Sequence, residues 1–245
     1  MTVSDKGYQI FEPTVAGRNW AAAAARSARA VLAEKRAEPG QLRHGGTWFV
    51  GVDALPNAAD GSVGGVALPW GADVGWAGAW HRAQLSVVFP GYPQRDPEES
   101  DASHRFRRVR AAAHVDGLHA EGPEKRRFLR EPHAFILGLP LDQCRASPLV
   151  VWPGSHVVMA EALGAALAGR NAAEVDLTEV YGAARKRVFE ACEPVPLRAE
   201  PGGAMLLHRH LLHGVMAWEA QDAGGATERA VAYFRPLLRE LRDWA

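Results

Sequence analysis

Cysteine is scarce. Only Cys144 and Cys192 occur among 245 residues. At most one disulfide can form, and no all-cysteine zinc site is possible. Both thiols are expected to be reduced, in a cytoplasmic protein. Neither sign of charge is in excess, since 28 Lys and Arg balance 28 Asp and Glu. A chain with no net charge lacks the field of a general nucleic-acid binder or a polybasic membrane binder. No apolar run approaches the ~18 residues of a membrane span, and Met1 to Gly7 has no apolar signal core. Neither nucleic acid nor membrane is therefore an expected partner. There is no internal repeat, and with no Gly-x-Gly-x-x-Gly and no strand-helix alternation a dinucleotide-binding fold is not expected.

What is present is the material of a packed core. Apolar residues make up 47% and charged residues 23%, the balance of a globular chain, and the length suits one domain over 1–245. A helix is expected from about Asn19 to Glu38, where Ala21 to Ala25, Val31, Leu32 and Lys35 precede the stop Pro39-Gly40. Residues 1–79 hold this helix and flanking strands. From 80 to 236 the chain reads mostly as β. Strands are expected over 47–52, 83–89, 105–118, 133–139, 149–152, 204–212 and 229–237, with polar loops at 93–103, 121–130 and 219–227. Two helices are expected over 158–168 and 177–192, the second with Asp176 as N-cap and Glu179 three positions on. The pattern is mainly β with peripheral helices, a sandwich or barrel.

The chemistry centres on His114-Val115-Asp116. On a strand, alternate side chains share a face, so His114 and Asp116 would point the same way. An imidazole and a carboxylate are two thirds of a metal site. The second imidazole is sought among His208, His210 and His213; His213, before the small Gly214, fits best, and the other two have the opposite parity. Two imidazoles and a carboxylate on one face of a metal leave three adjacent positions open, as an Fe(II) oxygenase needs for a chelating cosubstrate and dioxygen. A hydrolytic zinc site uses the same donors and stays open. On the last strand Arg229, Val231, Tyr233 and Arg235 share a face. A guanidinium facing an apolar interior needs an anion, and Arg229 is placed to take the far carboxylate of a dicarboxylic cosubstrate.

These residues resemble the phytanoyl-CoA dioxygenase-like family of Fe(II)/2-oxoglutarate-dependent oxygenases. The resemblance rests on Gln84-Leu85-Ser86-Val87-Val88-Phe89-Pro90-Gly91, His114-Val115-Asp116 and Ser147-Pro148-Leu149-Val150-Val151-Trp152-Pro153-Gly154-Ser155-His156. It continues in Pro201-Gly202-Gly203-Ala204-Met205-Leu206-Leu207-His208, His213-Gly214 and Glu228-Arg229-Ala230-Val231-Ala232-Tyr233. It implies a double-stranded β-helix, a jelly-roll, cupin-like barrel. It implies Fe(II) on His114, Asp116 and His213, and 2-oxoglutarate anchored by Arg229, with Gln84 and Arg235 in the cosubstrate site. The loop between His213 and Arg229 is longer than expected of the family, which is why Arg235 is a candidate to share the cosubstrate. The implied reaction couples decarboxylation of 2-oxoglutarate to succinate and CO2, with molecular oxygen, to hydroxylation of a small molecule. Halogenases of this fold vacate the carboxylate position, so Asp116 favours hydroxylation.

If the metal-bearing strand extends backwards, Arg110, and less surely Arg108, would face the barrel mouth and meet an acidic substrate. His119, of opposite parity to His114, and His156, in a Pro-Gly-Ser-His turn, are left out of the metal shell. Two other readings remain: a cupin-like metal enzyme that does not use 2-oxoglutarate, and a non-catalytic ligand-binding barrel.

Overall fold

The computed structural model describes residues 3, 5–38 and 40–244. The first strands are β1 (Tyr8–Phe11), β2 (Leu42–Arg43), β3 (Trp48–Gly51) and β4 (Gln84–Val88). Then come β5 (Leu118–Glu121), β6 (Arg126–Leu129), β7 (Phe135–Pro140), β8 (Leu149–Val151) and β9 (Val195–Leu197). The last are β10 (Ala204–His208), β11 (His213–Val215) and β12 (Arg229–Phe234). The helices are α1 (Val15–Arg36), α2 (Asp101–Arg110), α3 (Ser155–Leu167) and α4 (Thr178–Ala191). None among the described residues is long and apolar enough to cross a membrane.

A seven-stranded antiparallel sheet, ordered β1-β10-β7-β12-β4-β3-β2, forms one wall. A three-stranded sheet, β11-β8-β9, forms the other, and β5 and β6 pair apart. This is a jelly roll, mainly β with helices outside. Period-two alternation sorts the side chains. From the large sheet, Leu85, Val87, Leu137, Leu139, Ala232 and Phe234 pack outward with Trp20, Ala24, Ala28 and Leu32 of α1. Their neighbours Ile136, Val231 and Tyr233 face inward, against Leu149 and Val151 of the small sheet. Val150 turns the other way, into a cluster with Met159 and Leu163 of α3 and Tyr181, Ala184 and Val188 of α4. Each buried Leu or Val in these layers contributes roughly 1.5–3 kcal/mol of transfer free energy. The alanines of α1 serve closeness, letting the helix backbone lie on the sheet. Trp20 fixes its position, fully buried and donating from Nε1 to the Gly61 carbonyl at 2.9 Å.

Several elements differ from expectation. α1 begins at Val15, because Thr14 caps it by accepting from Gly17 N at 2.9 Å. α4 begins at Thr178, and Asp176 accepts from its N–H at 3.0 Å, one residue ahead of the cap position. β1 has no expected counterpart; it is a four-residue strand at the sheet edge with Gln9 and Ile10 exposed.

The largest correction falls on 105–118, which is not one strand. Residues 101–110 form α2, capped by Ser100, with Asp101 in its first turn and Arg107, Arg108 and Arg110 in its last. That order of charge complements the helix dipole. No residue of α2 is buried, so no apolar period announced it. The strand expected over 204–212 also ends early, at His208. The chain turns through 209–212 and enters the opposite sheet as β11.

Candidate metal centre and its cleft

After α2 the chain turns through Ala111 and Ala112, both left-handed at φ 52° and 49°, and runs alongside β11. His114 N donates to the His213 carbonyl at 2.8 Å, and His213 N donates to the His114 carbonyl at 3.0 Å. Val215 N donates to Ala111 O at 3.3 Å. The two histidines are thus held opposite each other by a reciprocal backbone pair, with ring centroids 4.7 Å apart. Gly214 makes this approach possible, since a Cβ there would lie 2.2 Å from the Ala111 carbonyl oxygen. Beyond Asp116, Gly117 turns the chain at φ 89°, and a Cβ there would lie 2.2 Å from the Glu131 carbonyl oxygen.

Each imidazole is oriented through its other nitrogen. Nδ1 of His114 lies 3.0 Å from the Ala112 carbonyl, and Nδ1 of His213 lies 2.9 Å from the Leu211 carbonyl. A carbonyl only accepts, so both Nδ1 atoms carry the proton and both Nε2 lone pairs are free. Both face one carboxylate oxygen. Asp116 Oδ1 lies 3.1 Å from His114 Nε2 and 3.7 Å from His213 Nε2. The three ligand atoms all lie within 4.8 Å of one another, the one such group among the described residues. Burial drives the His213 pKa down to about 4, against the pull of Asp116, so the ring is neutral at neutral pH and able to ligate. Burial alone would raise the Asp116 pKa. In acid, where protonated imidazoles face it, the hydrogen bond from His114 and the charges of His213, His114 and Arg235 outweigh it and hold the carboxyl well below its usual range. Two neutral imidazoles and one carboxylate fit a divalent transition metal and supply no more than three donors, leaving the cleft side free for other ligands.

The centre opens into a cleft between the two sheets. Trp48, Val50, Ile136, Leu149 and Val215 give it apolar walls, while Gln84, Ser86, Tyr233 and Arg235 are its polar groups. Trp48 is fixed by its Nε1 donating to Ser86 Oγ at 2.9 Å. Arg235 Nη2 donates to Gln84 Oε1 at 2.6 Å, and Nη1 lies 3.4 Å from Asp116 Oδ2.

Arg229 does not line this cleft. It is 5% exposed and borders a second, small pocket with Asp142, Cys144, Arg145 and Met205. Its Nη1 and the Tyr233 hydroxyl are buried without a hydrogen bond of regular geometry. Even so, the guanidinium is close enough to Tyr233 to oppose the upward push of burial on the phenol. Tyr233 therefore stands between Arg229 and the metal cleft.

Arg110 does not reach the cleft either. On a helix the alternation that aimed it there does not exist, and its guanidinium stacks 4.8 Å above the Phe189 ring. Arg108, on the same helix, shares that loss of aim. His119 is on β5, 3.4 Å from Glu131. His156 packs against His208, which packs against His210, with centroids 5.1 and 5.4 Å apart. Trp48, Ser86, Ile136, Leu149 and Val215 join the cleft without a motif in the sequence that marks them as cleft residues. For Ser86 and Ile136 the inward parity of β4 and β7 was the available signal; Trp48 needed the β3–β4 pairing.

The fold is that of a solved non-heme α-ketoglutarate-dependent enzyme. SnoK, a non-heme α-ketoglutarate-dependent carbocyclase of nogalamycin biosynthesis, superposes with TM-score 0.55 at 15% identity, covering 94% of this chain and 79% of that one. EctD from S. alaskensis, solved with 2-oxoglutarate and 5-hydroxyectoine, gives TM-score 0.48 at 18% identity, over 94% and 71%. No protein-family model and no curated protein matches the sequence.

Proposed function

We propose that the chain is a single-domain Fe(II)/2-oxoglutarate-dependent oxygenase that hydroxylates a small molecule. The observation that carries the reading is the convergence of His114 Nε2, His213 Nε2 and Asp116 Oδ1 at the floor of a cleft walled by both sheets. These three would hold the iron. With 2-oxoglutarate and dioxygen, bound iron supplies the oxidising power to insert one oxygen atom into a C–H bond, with succinate and CO2 as coproducts.

The protein's own contribution is positional. The carbonyls of Ala112 and Leu211 keep the Nδ1 protons in place, so the Nε2 lone pairs would be free to hold the metal. Arg229, buried with an unpaired Nη1, is the proposed anchor for the distal carboxylate of 2-oxoglutarate. An orphaned guanidinium N–H is costly, and an arriving carboxylate repays it with charge-assisted hydrogen bonds. The neutral Tyr233 phenol, whose pKa burial raises further, is placed to join that contact. The apolar walls exclude water and receive the substrate body. Free Cys144 and Cys192 agree with a reducing, cytoplasmic setting.

One observation favours the cupin-like alternative without 2-oxoglutarate: the Arg229 guanidinium borders the second pocket and not the metal cleft. The experiment is aerobic incubation of the iron-loaded protein with 2-oxoglutarate and a panel of small acids, following succinate. Succinate that depends on Fe(II) and is lost in His114→Ala and Asp116→Ala supports the reading. Metal retention with no 2-oxoglutarate binding by calorimetry supports the alternative.

A further inference from the structure

We infer that Arg235 is the substrate-anchoring residue of this site and that the substrate is a carboxylic acid with an apolar body. The inference rests on the iron/2-oxoglutarate reading and adds the substrate class to it. An acid was expected at Arg110, but that side chain is occupied by Phe189. Arg235 is the cation that lines the cleft.

Three features of its guanidinium point to a ligand. It is under-used: Nη2 donates to Gln84 at 2.6 Å, Nη1 makes only a long contact to Asp116 Oδ2, and Nε is buried without a partner. A guanidinium carries five donors, so acceptor capacity is missing around it. Its counter-charge is also borrowed. Asp116 is a proposed metal ligand, and a divalent cation on that carboxylate would take up its charge. Arg235 would then keep a full positive charge beside one neutral acceptor, Gln84, in a half-buried setting that favours an anion. Finally, it is accessible from two sides. Arg235 lines the metal cleft, where no carboxylate other than Asp116 stands, and also an adjoining cavity whose far lining includes Asp53 and Glu131 with Trp76, His81 and His133.

Its backbone is held firmly, which makes the anchor a fixed point. Arg235 N donates to His81 Nε2 at 2.7 Å, and its carbonyl lies 3.0 Å from His133 Nδ1. Nη1 is 3.4 Å from the far oxygen of Asp116. A carboxylate bound there would set the carbons nearest the carboxyl beside the triad, with the apolar remainder against Trp48, Ile136 and Leu149. Arg229 and Arg235 would thus divide two acids between them, cosubstrate and substrate.

The test measures binding of hexanoate and hexanamide to the anaerobic Fe(II) protein saturated with 2-oxoglutarate. The two probes share an apolar body and differ in the acid. Hexanoate is expected to bind at least tenfold tighter than hexanamide, and Arg235→Gln should reduce that preference to below about twofold. Arg235→Lys should recover part of it, which a merely structural role would not. Equal binding of the probes, no binding of hexanoate, or a preference that survives Arg235→Gln overturns the proposal. So does a rise of tenfold or more in the 2-oxoglutarate Kd of Arg235→Gln with none in Arg229→Gln, because Arg235 would then hold the cosubstrate. If 2-oxoglutarate does not bind the wild type, the functional reading fails on its own, and the probe pair is run on the Fe(II) protein without it.

Discussion

His210 is 2% exposed, with its ring 4.3 Å from that of Trp244 at 87° and 5.4 Å from that of His208. Burial, followed by the nearby charges of His208 and Arg209, pushes its pKa from 6.5 down to about 3. The folded state therefore keeps the ring neutral, while the unfolded chain takes up a proton as pH falls below 6.5. The unfolded state binds more protons across this window, so stability falls with falling pH, and the loss is complete only below the folded pKa. With these two values the penalty is about 2 kcal/mol at about pH 5 and approaches ~5 kcal/mol below about pH 3. His210→Leu removes the proton site and keeps an apolar side chain against Trp244. Urea unfolding of both proteins at about pH 7.5 and 5 should show the wild type losing about 2 kcal/mol more than the variant between the two conditions. Stability curves that run parallel in pH for wild type and variant would refute the assignment of a buried neutral His210.

Gly117→Ala should destabilise the protein by about 2–4 kcal/mol, measured as a shift in urea midpoint. The added Cβ meets the Glu131 carbonyl, and the left-handed φ of 89° is strained for alanine. Arg229→Met should leave stability unchanged or raised, since it removes a buried cation with an unpaired N–H, while the 2-oxoglutarate Kd rises at least about tenfold by calorimetry. Single replacement of His114, Asp116 or His213 by Ala should weaken Co(II) binding by more than about 100-fold in an absorption titration, beyond what outer partners usually cost.

Much of the site was legible in the sequence, for reasons that were only partly sound. Strand alternation pairs His114 with Asp116, yet His114 sits on an isolated bridge and Asp116 in the turn after it. They meet because the chain is clasped to β11 and then turned at Gly117. Parity along one strand separates His213 from His208 and His210. The physical separation is larger, because His208 ends β10 in one sheet and His213 begins β11 in the other. Gly214 was the right signal, though it serves the approach of the Ala111 carbonyl more than space at the metal. On β12 the alternation holds: Val231 and Tyr233 share the inward face while Ala230, Ala232 and Phe234 pack outward. What the strand cannot reveal is which end of it faces the metal. That depends on the stagger of the two sheets, a long-range property, and it puts Arg235 and not Arg229 at the cleft. Arg110 went astray for a local reason: α2 has no apolar stripe, and its cap at Ser100 and its charge order were the only helical signals.

The most direct test of the central claim is an anaerobic titration of the Fe(II)-loaded protein with 2-oxoglutarate, followed by visible absorption. A saturating charge-transfer band with one equivalent of 2-oxoglutarate, absent in Asp116→Ala, is the predicted result. Iron retained by the wild type with no band at any 2-oxoglutarate concentration would contradict it.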